Sequence, residues 1–152
     1  MACCASDVIG VGAHGCIMPV VPMFHVNAWG IPYAAAMAGA KLVMPGAQLD
    51  GASLHELIEG EQVSYVAGVP TVWLGLLQYL RENGKKIDTI ERVLMGGSAM
   101  PEALLRAYEG EFGVSMQQGW GMTEMSPLGT VGALLPKHEG LSYDEQVDVK
   151  LK

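Results

Sequence analysis

The chain has no run of basic residues. Nine Lys and Arg stand against sixteen Asp and Glu, for a net charge of −7. A protein that grips nucleic acid needs Lys or Arg to neutralise successive phosphates, so that class is excluded. A nucleotide ligand is not excluded, because backbone N–H groups and a metal ion can hold one. Cysteine is scarce and poorly spaced for chemistry. Of the three, Cys3 and Cys4 are adjacent and Cys16 stands apart, which is neither a C-x-x-C redox pair nor a zinc spacing. They read as reduced thiols of a cytoplasmic protein. The amino terminus lacks a basic region followed by a long apolar core, so no secretory signal is expected. No uninterrupted apolar run reaches about 18 residues, so no transmembrane helix is expected. There is no internal repeat and no low-complexity tract.

What is present is a core and many turns. Half of the 152 residues are hydrophobic and 20 are Gly, which suits one globular domain with short connections. "CIMPVVPMF" (16–24) is apolar, but Pro19 and Pro22 make it a poor central strand along its full length. "VNAWGIPYAAAMAG" (26–39) reads as a helix with Asn27 as N-cap. "KLVMP" (41–45) reads as a short strand. "DGASLHELIEGE" (50–61) reads as a helix with Ser53 and Glu56 at capping-box spacing. "VSYVAGV" (63–69) is a buried strand. "PTVWLGLLQYLRENG" (70–84) opens with Pro, closes with Gly and carries one apolar stripe, Val72, Trp73, Leu76, Leu77 and Leu80. "RVLMGGS" (92–98) is a strand running into a Gly turn, "PEALLRAYEGEFG" (101–113) another Pro-to-Gly helix, and "VSMQQG" (114–119) a last strand. From about Val131 the pattern decays, and residues 131–152 are expected to be loosely ordered. Alternating strands and helices predict an α/β fold of βαβ units with a mostly parallel sheet. Such sheets bind ligands beyond the carboxyl ends of their strands, where both Gly turns fall.

Several motifs fail on inspection. "GVGAHG" (10–15) matches G-x-G-x-x-G, but too few residues precede it for a strand and no acidic residue follows about 20 positions on. It reads as a loop before a strand. "NGKK" (83–86) lacks the first Gly of a phosphate loop, since Tyr79 stands there, and reads as a helix C-cap with solvated lysines. "GGSAM" (96–100) has Met100 where a nucleophile elbow needs Gly, so Ser98 reads as a turn residue. His25, taken alone, reads first as a satisfied half-buried histidine, and Trp29 can simply be core. "QGWGMTE" (118–124) carries the strongest signal. Gly119 and Gly121 let backbone approach a ligand, Trp120 offers a flat face, Thr123 a hydroxyl for a phosphate, and Glu124 a carboxylate for Mg²⁺.

"PMFHVNAWG", "GVPTVWLGLLQYL", "VLMGGSAMP" and "QQGWGMTEMSP", in this order, resemble the adenylate-forming acyl-CoA synthetases. "HVNAWG" looks most like the medium- and long-chain fatty-acid–CoA ligases. The resemblance spans about Asp7 to Leu141, so residues 1–152 are identified as part of an AMP-binding (adenylation) domain. It implies an acid–thiol ligase: a fatty acid attacks the α-phosphate of ATP, and coenzyme A then displaces AMP from the acyl-adenylate. It implies that Thr123 and Glu124 meet the phosphates and Mg²⁺, and that Trp120 packs on adenine. Gly97, Ser98, Ala99, Gln118, Gly119 and Gly121 line the adenine and acyl ends. His25 lies near the reacting carboxylate and phosphates. Trp29 gates the fatty-acid tunnel with Val26 beside it, and Met122 sits with Gly121 on the substrate side.

The family's upstream phosphate loop, its downstream ribose-binding aspartate and its mobile C-terminal domain with a catalytic lysine have no counterpart here. The chain is therefore expected to be an internal fragment of a large N-terminal domain, forming no acyl-adenylate by itself. A full-length protein is compatible with a homodimer. Two other readings stay open: a different adenylating ligase (aryl or short-chain acyl-CoA ligase, or peptide-synthetase adenylation domain), and a non-catalytic remnant of the fold. The small-residue run "AAAMAGA" (34–40) lines an acyl channel or simply packs close to the sheet.

Overall fold

The structure, a computed structural model, describes residues 9–152; Cys3 and Cys4 lie outside the described residues. Six strands form one sheet: β1 (Cys16–Val20), β2 (Lys41–Leu42), β3 (Tyr65–Gly68), β4 (Arg92–Met95), β5 (Ser115–Gly121) and β6 (Leu128–Gly132). Their order is β2-β1-β3-β4-β5-β6. The first five run parallel and β6 returns antiparallel at the edge. The helices are α1 (Val26–Trp29), α2 (Ile31–Ala38), α3 (Gly51–Glu61), α4 (Pro70–Asn83), α5 (Glu102–Phe112) and α6 (Tyr143–Leu151). The α/β fold expected from the alternating pattern is the one observed. No helix of the described residues is long and apolar enough to cross a membrane.

The strands read as continuous apolar runs because both sheet faces are covered. Met18, Val20, Val66, Val93, Met95 and Met116 point to a core shared with Leu54, Ile58, Trp73, Leu76, Leu80, Leu105 and Tyr108 of α3, α4 and α5. Ile17, Tyr65, Ala67 and Leu94 point to the other face, where Ile31 and Ala35 of α2 join Ile9 and Val11. The period-two alternation of strand side chains makes this division.

Pro19 and Pro22 argue against a central strand along the whole of 16–24; the interior strand β1 does stop at Val20, before Pro22, but it contains Pro19. In β1 the carbonyls of Gly15 and Ile17 accept from Lys41 and Val43 on the β2 side. Pro19 has the same parity, and pairing with β2 ends at Ile17↔Leu42. Its missing N–H therefore faces a place where no ladder continues. The cap of α3 also differs from expectation. Asp50, rather than Ser53, accepts the N–H groups of Ala52 and Ser53 at 3.1 and 3.0 Å, and these bonds hold its carboxyl below the usual carboxylate range, the Ser53 N–H first. The boundaries of α4 and α5 match the sequence signals, with Gly84 and Gly113 as left-handed C-caps.

The stretch after Val131 is more regular than its sequence pattern suggested. Ser142 caps α6 in a reciprocal box with Glu145, and Val147 is fully buried. Lys150 Nζ donates to Glu109 Oε1, which also accepts the Met116 N–H at the start of β5. Both side chains of this pair are only 12% exposed. Arg106 reaches Glu102 and Asp144, but those carboxylates are solvated and add little.

Removing one partner of a buried pair strands the other charge. Lys150→Ala is expected to lower unfolding stability by about 3 kcal/mol, and Lys150→Met with Glu109→Gln to recover more than half. Urea denaturation followed by circular dichroism measures both. A single-variant loss below about 0.5 kcal/mol would make the contact an ordinary surface bridge.

Candidate active site

A cavity of 360 Å³ opens beyond the carboxyl ends of β1, β4 and β5. Three segments build it. His25, Val26 and Trp29 follow β1; Leu94, Gly96 and Gly97 end β4; Gly119 to Glu124 end β5, with Pro127 and Leu128 behind them, while Ile9 and Ile31 complete the apolar wall.

The first segment is not the helix start that the sequence suggested. Val26, Asn27, Ala28 and Trp29 have φ of 47°, 52°, 50° and 57°, so α1 is a single left-handed turn. Such a turn costs roughly 1–2 kcal/mol per L-residue. Asn27 is not an N-cap; its side-chain amide donates to Tyr33 Oη at 2.8 Å. Ala28 is fully buried, and the Gly30 N–H bonds the carbonyls of Val26 and Asn27 at 3.2 and 3.1 Å. These contacts offset the strain and bring His25, Val26 and Trp29 to one side, on the cavity.

The second segment is a turn whose first two residues are glycines for different reasons. Gly97 has φ of 81°, where a side chain is strained. Gly96 does not, but a Cβ there would stand 3.0 Å from Trp29 Cη2 and 3.2 Å from Gly119 O. The third segment turns on Gly121. The β5–β6 register breaks between Trp120 and Gly121, and a Cβ on Gly121 would fall 2.0 Å from Pro127 O. The chain then folds back through a 3₁₀ turn (Thr123–Met125), closed by Met122 N–H to Pro127 O at 2.9 Å. That turn holds Thr123 and Glu124 at the cavity rim. The six-membered part of the Trp120 indole rests on Gly129, while 54% of the residue stays exposed, leaving aromatic surface for a planar ligand.

Ten of the residues singled out from the sequence line this one cavity: His25, Val26, Trp29, Gly97, Gly119, Trp120, Gly121, Met122, Thr123 and Glu124. Ser98 and Ala99 sit on the exposed turn beyond it. Gln118 is tied to that turn by a bond from its amide to Ser98 O at 3.2 Å. Sequence reasoning missed Ile9, Ile31, Leu94, Gly96, Pro127 and Leu128. Nothing marks them but strand register and the fold-back. Among the described residues no group of three or more His, Cys, Asp or Glu stands together. A structural zinc site does not fit these residues. Mg²⁺ does fit, since it is commonly held by one or two carboxylates plus substrate phosphates, and Glu124 lines the cavity as a carboxylate.

The family model described as "AMP-binding enzyme" matches residues 1–148. The chain belongs to the AMP-binding enzyme family. It is 51% identical over 144 residues to the medium-chain-fatty-acid–CoA ligase of Ectopseudomonas oleovorans, covering 95% of this chain and 26% of that protein. It is 49% identical over 136 residues to the long-chain-fatty-acid–CoA ligase of Thermus thermophilus, covering 90% and 25%. A 3-methylmercaptopropionyl-CoA ligase of Ruegeria lacuscaerulensis is 48% identical over 140 residues, covering 92% and 26%. The chain thus spans about a quarter of the length of these relatives. Among solved structures, the inhibitor-bound N-terminal domain of FACL13 from Mycobacterium tuberculosis is similar, with a TM-score of 0.76 and 28% identity, covering 90% of this chain and 33% of that one.

The fold-back leaves no room at Gly121. Gly121→Ala is expected to cost about 3 kcal/mol or more. Gly140→Ala, where nothing lies within 4 Å, should change stability by less than about 0.5 kcal/mol. Equal denaturation midpoints for the two variants would show that the turn relaxes freely.

Proposed function

We propose that this domain carries the nucleotide and acyl sites of an ATP-dependent acid–thiol ligase that activates a fatty acid through an acyl-adenylate to acyl-CoA. The observation that carries the reading is one cavity that joins two kinds of wall. Its lining includes the polar Thr123, Glu124 and His25 and the apolar Val26, Ile31, Leu94 and Leu128. An acyl-adenylate has the same two halves, a charged phosphate and an apolar tail.

In this reading the exposed part of Trp120 stacks on adenine, and Gly119 and Gly121 leave its backbone approach open. Thr123 hydrogen-bonds a phosphate oxygen and Glu124 holds Mg²⁺. His25 donates to the oxygens where charge gathers as the carboxylate attacks. Mg²⁺ supplies Lewis-acid stabilisation of the phosphate oxygens. The protein's own groups orient the nucleotide and present fixed donors at the cavity rim, aimed where charge develops. Coenzyme A then accepts the acyl group. A cytoplasmic setting is supported by the free, buried thiol of Cys16.

A second reading concerns the acid. Relatives of almost equal identity are named for medium-chain, long-chain and 3-methylmercaptopropionyl substrates, so a short thioether acid is the alternative. Assaying a full-length protein that carries this domain against butanoate, octanoate, dodecanoate, hexadecanoate and 3-methylthiopropionate separates the two. A preference for any of the three longest acids keeps the fatty-acid reading; a preference for the thioether acid replaces it.

The nucleotide half is testable by calorimetry with ATP. Trp120→Ala is expected to weaken ATP binding about tenfold or more, the range of a lost base-stacking contact. Glu124→Gln should abolish the gain in affinity that Mg²⁺ gives the unaltered chain. Mg²⁺-stimulated binding that survives Glu124→Gln would take the metal away from this residue.

A further inference from the structure

We infer that Gly129 and Met125 are positioning residues for Trp120: the indole edge and the Met125 methyl share the bare Cα of Gly129, and this joint holds the ring in place beside Thr123 and Glu124. The inference rests on the nucleotide-binding reading above.

Gly129 is the extra residue of a bulge. Trp120 pairs with Thr130 and Gly121 with Leu128, so Gly129 is skipped in the register. A bulge beside a site re-aims the side chains around it, and this one sets a strand residue under the ring that precedes the fold-back. Gly129 lies outside the left-handed region, so its backbone conformation does not require glycine. Space does. A Cβ at Gly129 would lie 2.7 Å from both Cε3 and Cζ3 of Trp120 and 2.8 Å from Cε of Met125, far inside van der Waals contact.

Met125 comes to the same point by a different route. It ends the 3₁₀ turn that carries Thr123 and Glu124, and its N–H closes that turn on Met122 O at 2.9 Å. A thioether is flexible and polarisable and packs well at a ring edge. Neither Gly129 nor Met125 lines the cavity, yet between them they tie the aromatic face to the turn that presents the hydroxyl and the carboxylate. The joint thereby sets the spacing of the two features that a nucleotide must meet together, a surface for its planar base and a rim for its phosphates.

An added methyl at Gly129 has to displace both groups. Pairing on each side of the bulge holds the strand. The Met125 methyl is the end of a flexible side chain, but two ring atoms stand as close, and 54% of Trp120 is exposed. The ring gives way before β6 does. Its face then no longer keeps its place against Thr123 and Glu124, and ATP loses the stacked contact.

The test uses this chain labelled with 5-fluorotryptophan, with ATP binding measured alongside by calorimetry. Gly129→Ala should shift the Trp120 fluorine resonance, leave that of Trp73 in place and weaken ATP about tenfold or more. In a Trp120→Ala chain the same substitution should change ATP affinity by less than about twofold, because the ring it displaces is gone. Met125→Ala should weaken ATP about threefold, and Met125→Leu, which refills the space over Gly129, should recover most of that loss. A Gly129→Ala chain that fails to fold while Gly129→Ala with Trp120→Ala folds also supports the joint. Failure of both to fold assigns the constraint to the bulge itself and overturns it. So does an unmoved Trp120 resonance, or an equal loss with and without the Trp120 ring. Unchanged ATP affinity in Met125→Ala, or a loss that Met125→Leu leaves in place, overturns the role of Met125. No ATP binding by the unaltered chain would instead sink the nucleotide reading, and this inference with it.

Discussion

Parallel pairing of β4 with β5 is the constraint on which the site depends. The register runs from Arg92↔Ser115 to Met95↔Gln118, so β4 ends level with Gln118 and β5 runs on to Gly121 beside the turn that follows β4. The Gly96–Gly97 turn and the Gly119–Gly121 segment then open into the same space. A one-residue slip would exchange the two faces of β5, sending Met116 out of the core it fills with Val93 and Met95. Burial of those side chains therefore fixes the register, and the register brings together Leu94, Gly96, Trp120 and Glu124. The shape of the cavity rides on a packing requirement made on the opposite face of the sheet.

Each of the three tryptophans is set against a glycine. A Cβ on Gly68 would lie 2.9 Å from the Trp73 ring, one on Gly96 3.0 Å from Trp29, and one on Gly129 2.7 Å from Trp120. An indole laid on a bare Cα gains contact along its ring without displacing the strand. The surroundings then decide the outcome. Trp73 is fully buried between β3 and the helices and is a packing residue, while Trp120 keeps more than half its surface exposed. Trp29 lies between these extremes. The same device yields a buried ring, a half-buried ring and an exposed one.

The elements most legible in the sequence were those with punctuation at both ends. Pro70 and Gly84 bracket α4 and Pro101 and Gly113 bracket α5, because proline suits a first turn and glycine a left-handed end. The cap of α3 was misread because Asp50 and Ser53 are both good caps, and Ser53 instead gives its hydroxyl proton to Asp50. The box of Ser142 and Glu145 opens a polar helix with no apolar stripe to announce it, whose partners, Glu109 and Arg106, lie about 40 residues away. The left-handed turn at Val26–Trp29 had no local signal. Valine and tryptophan do not favour positive φ, and only tertiary contacts hold them there.

The site divides the same way. Thr123, Glu124 and Trp120 were legible because polar and aromatic residues between glycines need an explanation that burial does not give. Ile9, Ile31, Leu94 and Leu128 were not, since an apolar residue that lines a cavity is written in the same letters as one that fills a core. Leu94 does both: it belongs to the cluster under α2 and to the cavity wall. The apolar lining of the cavity thus borders the second core, where α2 begins after the left-handed turn. Had the chain passed from β1 into α2 as a continuous right-handed helix, Ala28 and Trp29 would sit differently over the strand ends, and the site would lose the three residues, His25, Val26 and Trp29, that join its polar rim to its apolar wall.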